Sequence, residues 1–164
     1  MNQTRLRRFG PVFAACCLVT LLFNHTISAQ EPKDWGDDLV FHTFSIAAVD
    51  PSTGESGVAV TTRVPCVGNG VPWVRAGVGA VATQASTRTA YGAELLDMLE
   101  QGMSPTDALA TAVASDSVAN RRQVGVVAVD GRAAQHTGDG TSSWAGHRSG
   151  INYAVQGNTL VGPE

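Results

Sequence analysis

Residues 43–62 read TFSIAAVDPSTGESGVAVTT, and this stretch decides the fold. Thr43, Ser45, Ala47 and Val49 alternate with Phe44, Ile46 and Ala48, the period of two that a strand requires. Asp50-Pro51-Ser52-Thr53-Gly54-Glu55 then breaks the alternation. Proline presets φ for the first central turn position, and a later glycine accepts a left-handed one. Gly57 to Thr62 returns as a second strand, so the stretch is expected to be a β-hairpin. Neither face of this hairpin is strongly polar. Both are therefore expected to be covered, which favours a layered sandwich over an open sheet.

Downstream, Arg63 to Arg75 is punctuated by Pro65, Gly68, Gly70 and Pro72 and is expected to be an irregular loop. Gly77 to Ala85 is a strand of small residues, which permits close approach of a neighbouring layer. Tyr91, Leu95, Met98 and Leu99 then fall at helical spacing, with Glu94, Asp97 and Glu100 facing away and Gly102 as a stop. Ser104-Pro105-Thr106-Asp107 opens a second helix: a capping serine, proline at the first position and an acid in the first turn. Gln123 to Val129 is an apolar strand, Asp130-Gly131 a hairpin turn, and Arg132 to His136 the return. A glycine-rich loop, 137–150, leads to a last strand over Ile151 to Gln156. Strands, a helical pair and more strands give an α+β or layered α/β domain.

Upstream lies a different kind of segment. Arg5, Arg7 and Arg8 precede an apolar run from Phe13 to Phe23, and Ile27-Ser28-Ala29 offers small residues before a cut. This is the layout of a secretory signal peptide over residues 1–29, followed by a polar leader, 30–42, and a domain, 43–164. The run is shorter than the ~20 residues a membrane span takes, which disfavours the alternative, an uncleaved anchor. Exported location, periplasmic or extracellular, follows. No stable membrane span is expected after cleavage.

Removing residues 1–29 takes three arginines and no acids. The 11 basic residues fall to 8 against 14 acids, and the net charge moves from −3 to −6. A mildly acidic domain without a basic stripe excludes an ordinary nucleic-acid partner. Cys16 and Cys17 leave with the signal, so Cys66 has no internal partner and is expected to be a buried structural thiol or to pair with another chain. The other reading of Cys66, a nucleophile, needs a nearby base. No phosphate-cradling loop, paired-cysteine zinc site or nucleophile elbow is present. His136 and His147 lack ligand partners at a usual spacing and are read as hydrogen-bonded structural histidines rather than metal ligands. No motif calls for a cofactor or a metal, and none specifies an oligomeric state.

A set of short segments occurs in order: His42–Ile46; Asp50-Pro51 through Gly54 to Val60; Val71-Pro72-Trp73; Ala76 through Gln84; Arg122-Gln123-Val124-Gly125; His136-Thr137-Gly138; Trp144-Ala145-Gly146-His147; Gln156-Gly157-Asn158. Together they closely resemble the family called domain of unknown function 1028, from about Thr43 to the last residue. Two departures stand out: Ser86–Ala90 replaces a segment where an Asn-Pro pair is common, and Cys66 replaces a small residue. Family members are generally longer at the C-terminus, so the resemblance implies a C-terminally incomplete domain.

That family looks like the N-terminal nucleophile hydrolases, which implies a four-layer αββα sandwich. It also implies an amide hydrolase whose first mature residue attacks a carbonyl while its own α-amine takes the proton. Thr43 is the matching position. Arg63, at the end of the second strand, is the implied electrostatic support, and Asn158 a polar donor. This chemistry requires the His42–Thr43 bond to be cut. The other reading of Thr43 is an ordinary β-branched strand residue. Two functions follow. One is an amide hydrolase acting on a small amide, peptide or peptidoglycan-derived substrate. The other is a non-catalytic envelope binding domain with its leader retained.

Overall fold

The computed structural model describes residues 42–163. The signal peptide and the leader expected from the sequence lie outside the described residues, apart from His42. The hairpin forms as expected. Strand β1 (Thr43–Asp50) pairs antiparallel with β2 (Glu55–Thr61), Phe44 opposite Thr61 and Asp50 opposite Glu55. Gly54 adopts φ +76°, and the Asp50 carboxylate accepts the Ser52 N–H at 2.8 Å, closing the turn.

The remaining strands are β3 (Pro72–Arg75), β4 (Gly79–Ala85), β5 (Arg122–Ala128), β6 (Ala133–Thr137), β7 (Gly146–Gly150) and β8 (Tyr153–Asn158). They make two antiparallel sheets of four, ordered β2-β1-β8-β7 and β3-β4-β5-β6. Two strands fall where loops were expected. β3 opens on Pro72 and stands at a sheet edge, where a missing N–H is tolerated. β7, Gly-His-Arg-Ser-Gly, has no β-branched residue and is likewise an edge.

Helix α1 (Ala90–Glu100) and helix α2 (Pro105–Ala114) pack on the outer face of the second sheet. Ser104 caps α2 by accepting the Asp107 N–H at 3.1 Å, and Gly102 ends the preceding turn at φ +88°. Tyr91, Leu95, Leu96 and Leu99 of α1 and Ala108, Leu109 and Ala112 of α2 meet Val81, Val124 and Val126 in one core. Each large side chain buried there contributes roughly 1.5–3 kcal/mol.

The expected four-layer αββα sandwich is corrected by this arrangement. The class is α+β, but among the described residues helices cover one sheet only, giving helices, sheet, sheet. The two helices are joined by a connection of a few residues and must lie side by side on one face. Nor is the hairpin covered on both sides: Phe44 is 41% exposed, and Gly57, Ala59 and Thr61 are exposed beside it. Apart from Phe44 and Ile46 this outer row is alanine, glycine and threonine, which is not polar but offers little apolar area, so absence of polarity did not require a cover.

Between the sheets the composition changes along the strands. At the end of the hairpin turn, Ala47, Val49, Ala80, Ala82, Val127 and Ala154 form an apolar cluster. Toward the start of β1 the same layer holds Ser45, Gln84, Gln123, Gln156 and Asn158, all buried. Gln156 Nε2 donates to Ser45 Oγ (2.6 Å), Ser45 Oγ to Gln84 Oε1 (2.7 Å), and Gln84 Nε2 to Gln123 Oε1 (2.7 Å). Asn158 Nδ2 donates to the same Gln123 oxygen at 3.1 Å. Gln123 Nε2 serves the Gly157 and Gly146 carbonyls at 2.9 and 3.1 Å and Thr137 Oγ1 at 3.0 Å. Gly125 makes room for this seam: a Cβ there would sit 2.2 Å from Gln156 Oε1.

A second polar cluster fixes α1 to the start of β5. The Asp116 carboxylate accepts from Arg122 Nε at 2.9 Å, the Tyr91 hydroxyl at 3.0 Å and the Val118 N–H at 3.0 Å. The Arg122 hydrogen bond, with that of Val118, holds Asp116 down to about 2. Burial first, and then the hydrogen bond to Asp116, pushes Tyr91 up to about 12.

Two predictions follow from this packing. Gly125→Ala should lower unfolding free energy by about 1–3 kcal/mol, because the new methyl evicts a locked carboxamide. Gly57→Ala, where nothing lies within 4 Å of the added carbon, should stay within about 0.5 kcal/mol of the parent. Urea denaturation separates the two, and equal effects would contradict the seam. In the second, Asp116 has a lowered folded pKa, so its contribution is present above about pH 4 and lost as pH falls toward 2. Tyr91 has a raised one, so its contribution is present below pH 10 and lost as pH rises toward 12. Stability measured against pH should lose part of its acid slope in Asp116→Asn, Asp50 and Asp130 supplying the rest, and should lose alkaline slope in Tyr91→Phe.

Candidate functional site

The polar seam opens at one end of the sandwich into a cleft of about 280 Å³. Thr43, Arg63 and Asn158, the three residues singled out from the sequence, all line it. Each arrives by a different route. Thr43 is the first residue of β1 and is half-buried. Asn158 is the last residue of β8, opposite Thr43 in the ladder and 7% exposed. Arg63 follows directly on the return strand of the hairpin and is exposed.

Thr43 Oγ1 lies 2.9 Å from Thr62 Oγ1, which also accepts the Val64 N–H at 3.3 Å. Asn158 is held on both sides of its carboxamide: Nδ2 donates to Gln123, and Oδ1 accepts from Thr159 Oγ1 at 3.2 Å. The amide nitrogen carries two hydrogens, and Gln123 takes one. His42 Nδ1 donates to the Thr159 carbonyl, so the residue before Thr43 is tied to the strand end that carries Asn158.

Strained backbone gathers around this opening. Ala85 (φ +69°) and Thr159 (φ +58°) line the cleft in the left-handed region, and Cys66 (φ +57°) sits beside it. A β-branched residue at such φ is held there only by its surroundings. Thr159 has them: its N–H donates to the Ser142 carbonyl at 3.1 Å, in addition to the bonds from His42 and to Asn158.

A further part of the lining comes from Arg121, Gly140, Thr141 and Ser142. Arg121 ends a 3-10 turn, Ala119–Arg121, and its carbonyl accepts the Ser86 N–H at 3.1 Å. Arg122 Nη1 donates back to the Ser86 carbonyl. Gly138 packs against the same turn: a Cβ would lie 2.1 Å from the Asn120 carbonyl oxygen. This part of the lining is therefore built on a fixed backbone even though the Arg121 side chain is exposed.

Other sequence candidates fall elsewhere. His136 Nε2 donates to the Ala119 carbonyl at 2.8 Å. His147 Nδ1 is paired with Thr137 Oγ1 at 2.8 Å. Burial, and next the nearby His136, lower the His147 pKa and keep its ring neutral at pH 7. Among the described residues no group of three or more His, Cys, Asp or Glu could hold a metal ion. Cys66, expected to be a buried thiol or to pair with another chain, is exposed on the loop before the 3-10 turn Val67–Asn69, which overturns the first of these. The loop never enters the core, so burial typical of the residue type does not apply.

Thr62, Arg121 and the three glutamines were not singled out. Gln84 and Gln156 share the inward face with small residues, and an amide at such a position is the one signal that could have marked them.

No curated protein matches the chain. A solved structure, protein SPO2555 from Silicibacter pomeroyi, titled as of the DUF1028 family, superposes with a TM-score of 0.71 at 34% identity. The similarity covers 74% of this chain and 57% of that one, so the chain spans little more than half of its solved relative. The family described as "Family of unknown function (DUF1028)" matches residues 43–164. The match begins at Thr43, the residue that opens the first strand at the mouth of the cleft. With that match over most of its length, the chain belongs to the DUF1028 family.

Proposed function

We propose that this is an exported amide hydrolase of the N-terminal-nucleophile type, in which Thr43 acts once the residues before it are removed. The observation that carries the reading is the meeting of the Thr43 hydroxyl, Asn158 and Arg63 in one cleft, with Thr43 at the start of the family match. The N-terminal signal pattern supports export.

The chemistry balances with these groups. Cutting the His42–Thr43 bond would free the Thr43 α-amine, whose ordinary pKa of about 7.7–8.0 suits a general base near neutrality. The amine, directly or through water, takes the hydroxyl proton as Oγ1 bonds to the substrate carbonyl carbon. The carbonyl π electrons move to oxygen, where the second Asn158 N–H could donate. They return as the C–N bond breaks, and the proton passes to the leaving nitrogen. Water then cleaves the acyl-threonine ester and restores the hydroxyl. A guanidinium beside an amine favours its neutral form, which is the role given to Arg63.

A second reading, a non-catalytic envelope binding domain, is favoured by one observation. With His42 in place the Thr43 nitrogen is an amide, and the His42 ring is tied to Thr159. In that form the cleft can bind but has no amine base.

Hydrolysis of a panel of small amides and peptides by the exported protein tests the proposal. Thr43→Ala should lower turnover by at least about a hundredfold, while Thr43→Ser keeps a substantial part of it. The rate should rise with pH as the amine loses its proton. Turnover unchanged in Thr43→Ala, or a folded mature protein that begins at Gln30, would reject the hydrolase in favour of the binding domain.

A further inference from the structure

The fold treats its arginines in two ways. Arg75, Arg88, Arg122 and Arg132 each lie 2.6–2.9 Å from a carboxylate. Arg63, Arg121 and Arg148 have no such partner among the described residues; Arg63 and Arg121 line the cleft beside Thr43, and Arg148 does not. Among the described residues, no aspartate or glutamate lines the cleft. Its remaining polar lining is hydroxyl and carboxamide, including Thr62, Ser86, Thr141 and Ser142. In a chain whose net charge is negative, a concave site with two cations and no anion is a local reversal of sign.

A cleft of one sign concentrates the opposite charge, because its low-dielectric walls focus the field. The guanidinium fork matches a carboxylate with two parallel N–H donors, and hydroxyls complete the shell of an anion. The volume, about 280 Å³, is at the lower end for small-molecule sites and fits a ligand of one or two residues rather than a polymer.

From this we infer that the cleft selects small amides that carry a free carboxylate, an N-acyl amino acid or a short peptide end, recognised by Arg63 and Arg121. The inference rests on the reading of Thr43 as nucleophile for its amide half, and on the arginines alone for its anionic half. Arg63 and Arg121 are specificity and positioning residues: they hold the carboxylate so that the amide carbonyl lies over Thr43.

The test uses the exported protein with two probes, N-acetyl-L-alanine and its uncharged methylamide. Binding is read by titration calorimetry and turnover by acetate release in the same samples. The carboxylate should bind at least about tenfold more tightly than the methylamide. Arg63→Gln and Arg121→Gln should each weaken its binding roughly tenfold to a hundredfold, with the affinity for the methylamide unchanged in Arg121→Gln. Arg63→Lys and Arg121→Lys should fall between, since charge remains but the fork does not. Arg148→Gln, an exposed cation outside the cleft, should change nothing. All three arginines are exposed, so the variants should melt with the parent. Equal affinity for the two probes, no carboxylate binding at millimolar concentration, or indifference to both arginines would overturn the inference. A carboxylate preference without acetate release keeps the inference and removes the hydrolase. Acetate release from both probes alike, unaffected by Arg121→Gln, does the reverse.

Discussion

A chain of buried side-chain hydrogen bonds crosses the space between the two sheets, from Gln156 through Ser45 and Gln84 to Gln123, which also accepts from Asn158. Three carboxamides inside a sandwich are expensive to desolvate, and they are tolerable because each finds partners. The arrangement is directional. Ser45 accepts from one glutamine and donates to the next, so removing any member strands another polar atom at a cost of about 1–3 kcal/mol. It also fixes register. A slip of one residue in β1 or β8 would turn Ser45 or Gln156 outward and leave the facing amides without partners.

This seam decides which end of the sandwich is functional ground. Where the interlayer is alanine and valine, the sheets close on one another. Where it is amide and hydroxyl, the strand ends part and the cleft begins, with Thr43 and Asn158 as its last paired rung. The left-handed Ala85 and Thr159 lie at this rim, as strained backbone tends to at sites that bind or react. The helical pair plays no direct part. It braces the second sheet from behind, and the Asp116–Arg122–Tyr91 cluster ties that brace to the strand that follows Arg121.

Much of this was legible in the sequence because it is written locally. The β1–β2 hairpin, the capped start of α2 and the Asp130-Gly131 turn each carry their own turn or capping chemistry. What was not legible is what depends on distant partners. Strands β3 and β7 are edges held by a single neighbour; β3 is only four residues long and opens on a proline, and β7 has no β-branched or aromatic residue. The number of layers was misjudged because an outer row made mostly of alanine, glycine and threonine looks coverable yet is left open. The glutamines lie far apart in the chain and meet only in the fold. Even so, Gln84, Gln123 and Gln156 each fall inside a segment that carried the family resemblance, as do Thr43 and Asn158. Those segments are scattered in sequence and gathered at the polar end of the sandwich. Arg121 lay just outside them, and only the fold brings it into the cleft that Arg63 also lines.

The functional reading and the anion preference both stand on this end of the molecule being held in one geometry. Side-chain amide hydrogen exchange reads that directly. After transfer into deuterated buffer, the carboxamide protons of Gln84, Gln123 and Gln156 should persist far longer than those of exposed Gln101, and should disappear together as one cooperative unit. If the three exchange as fast as Gln101, the seam is not closed. The cleft would then have no fixed frame, and the account built on it would be wrong.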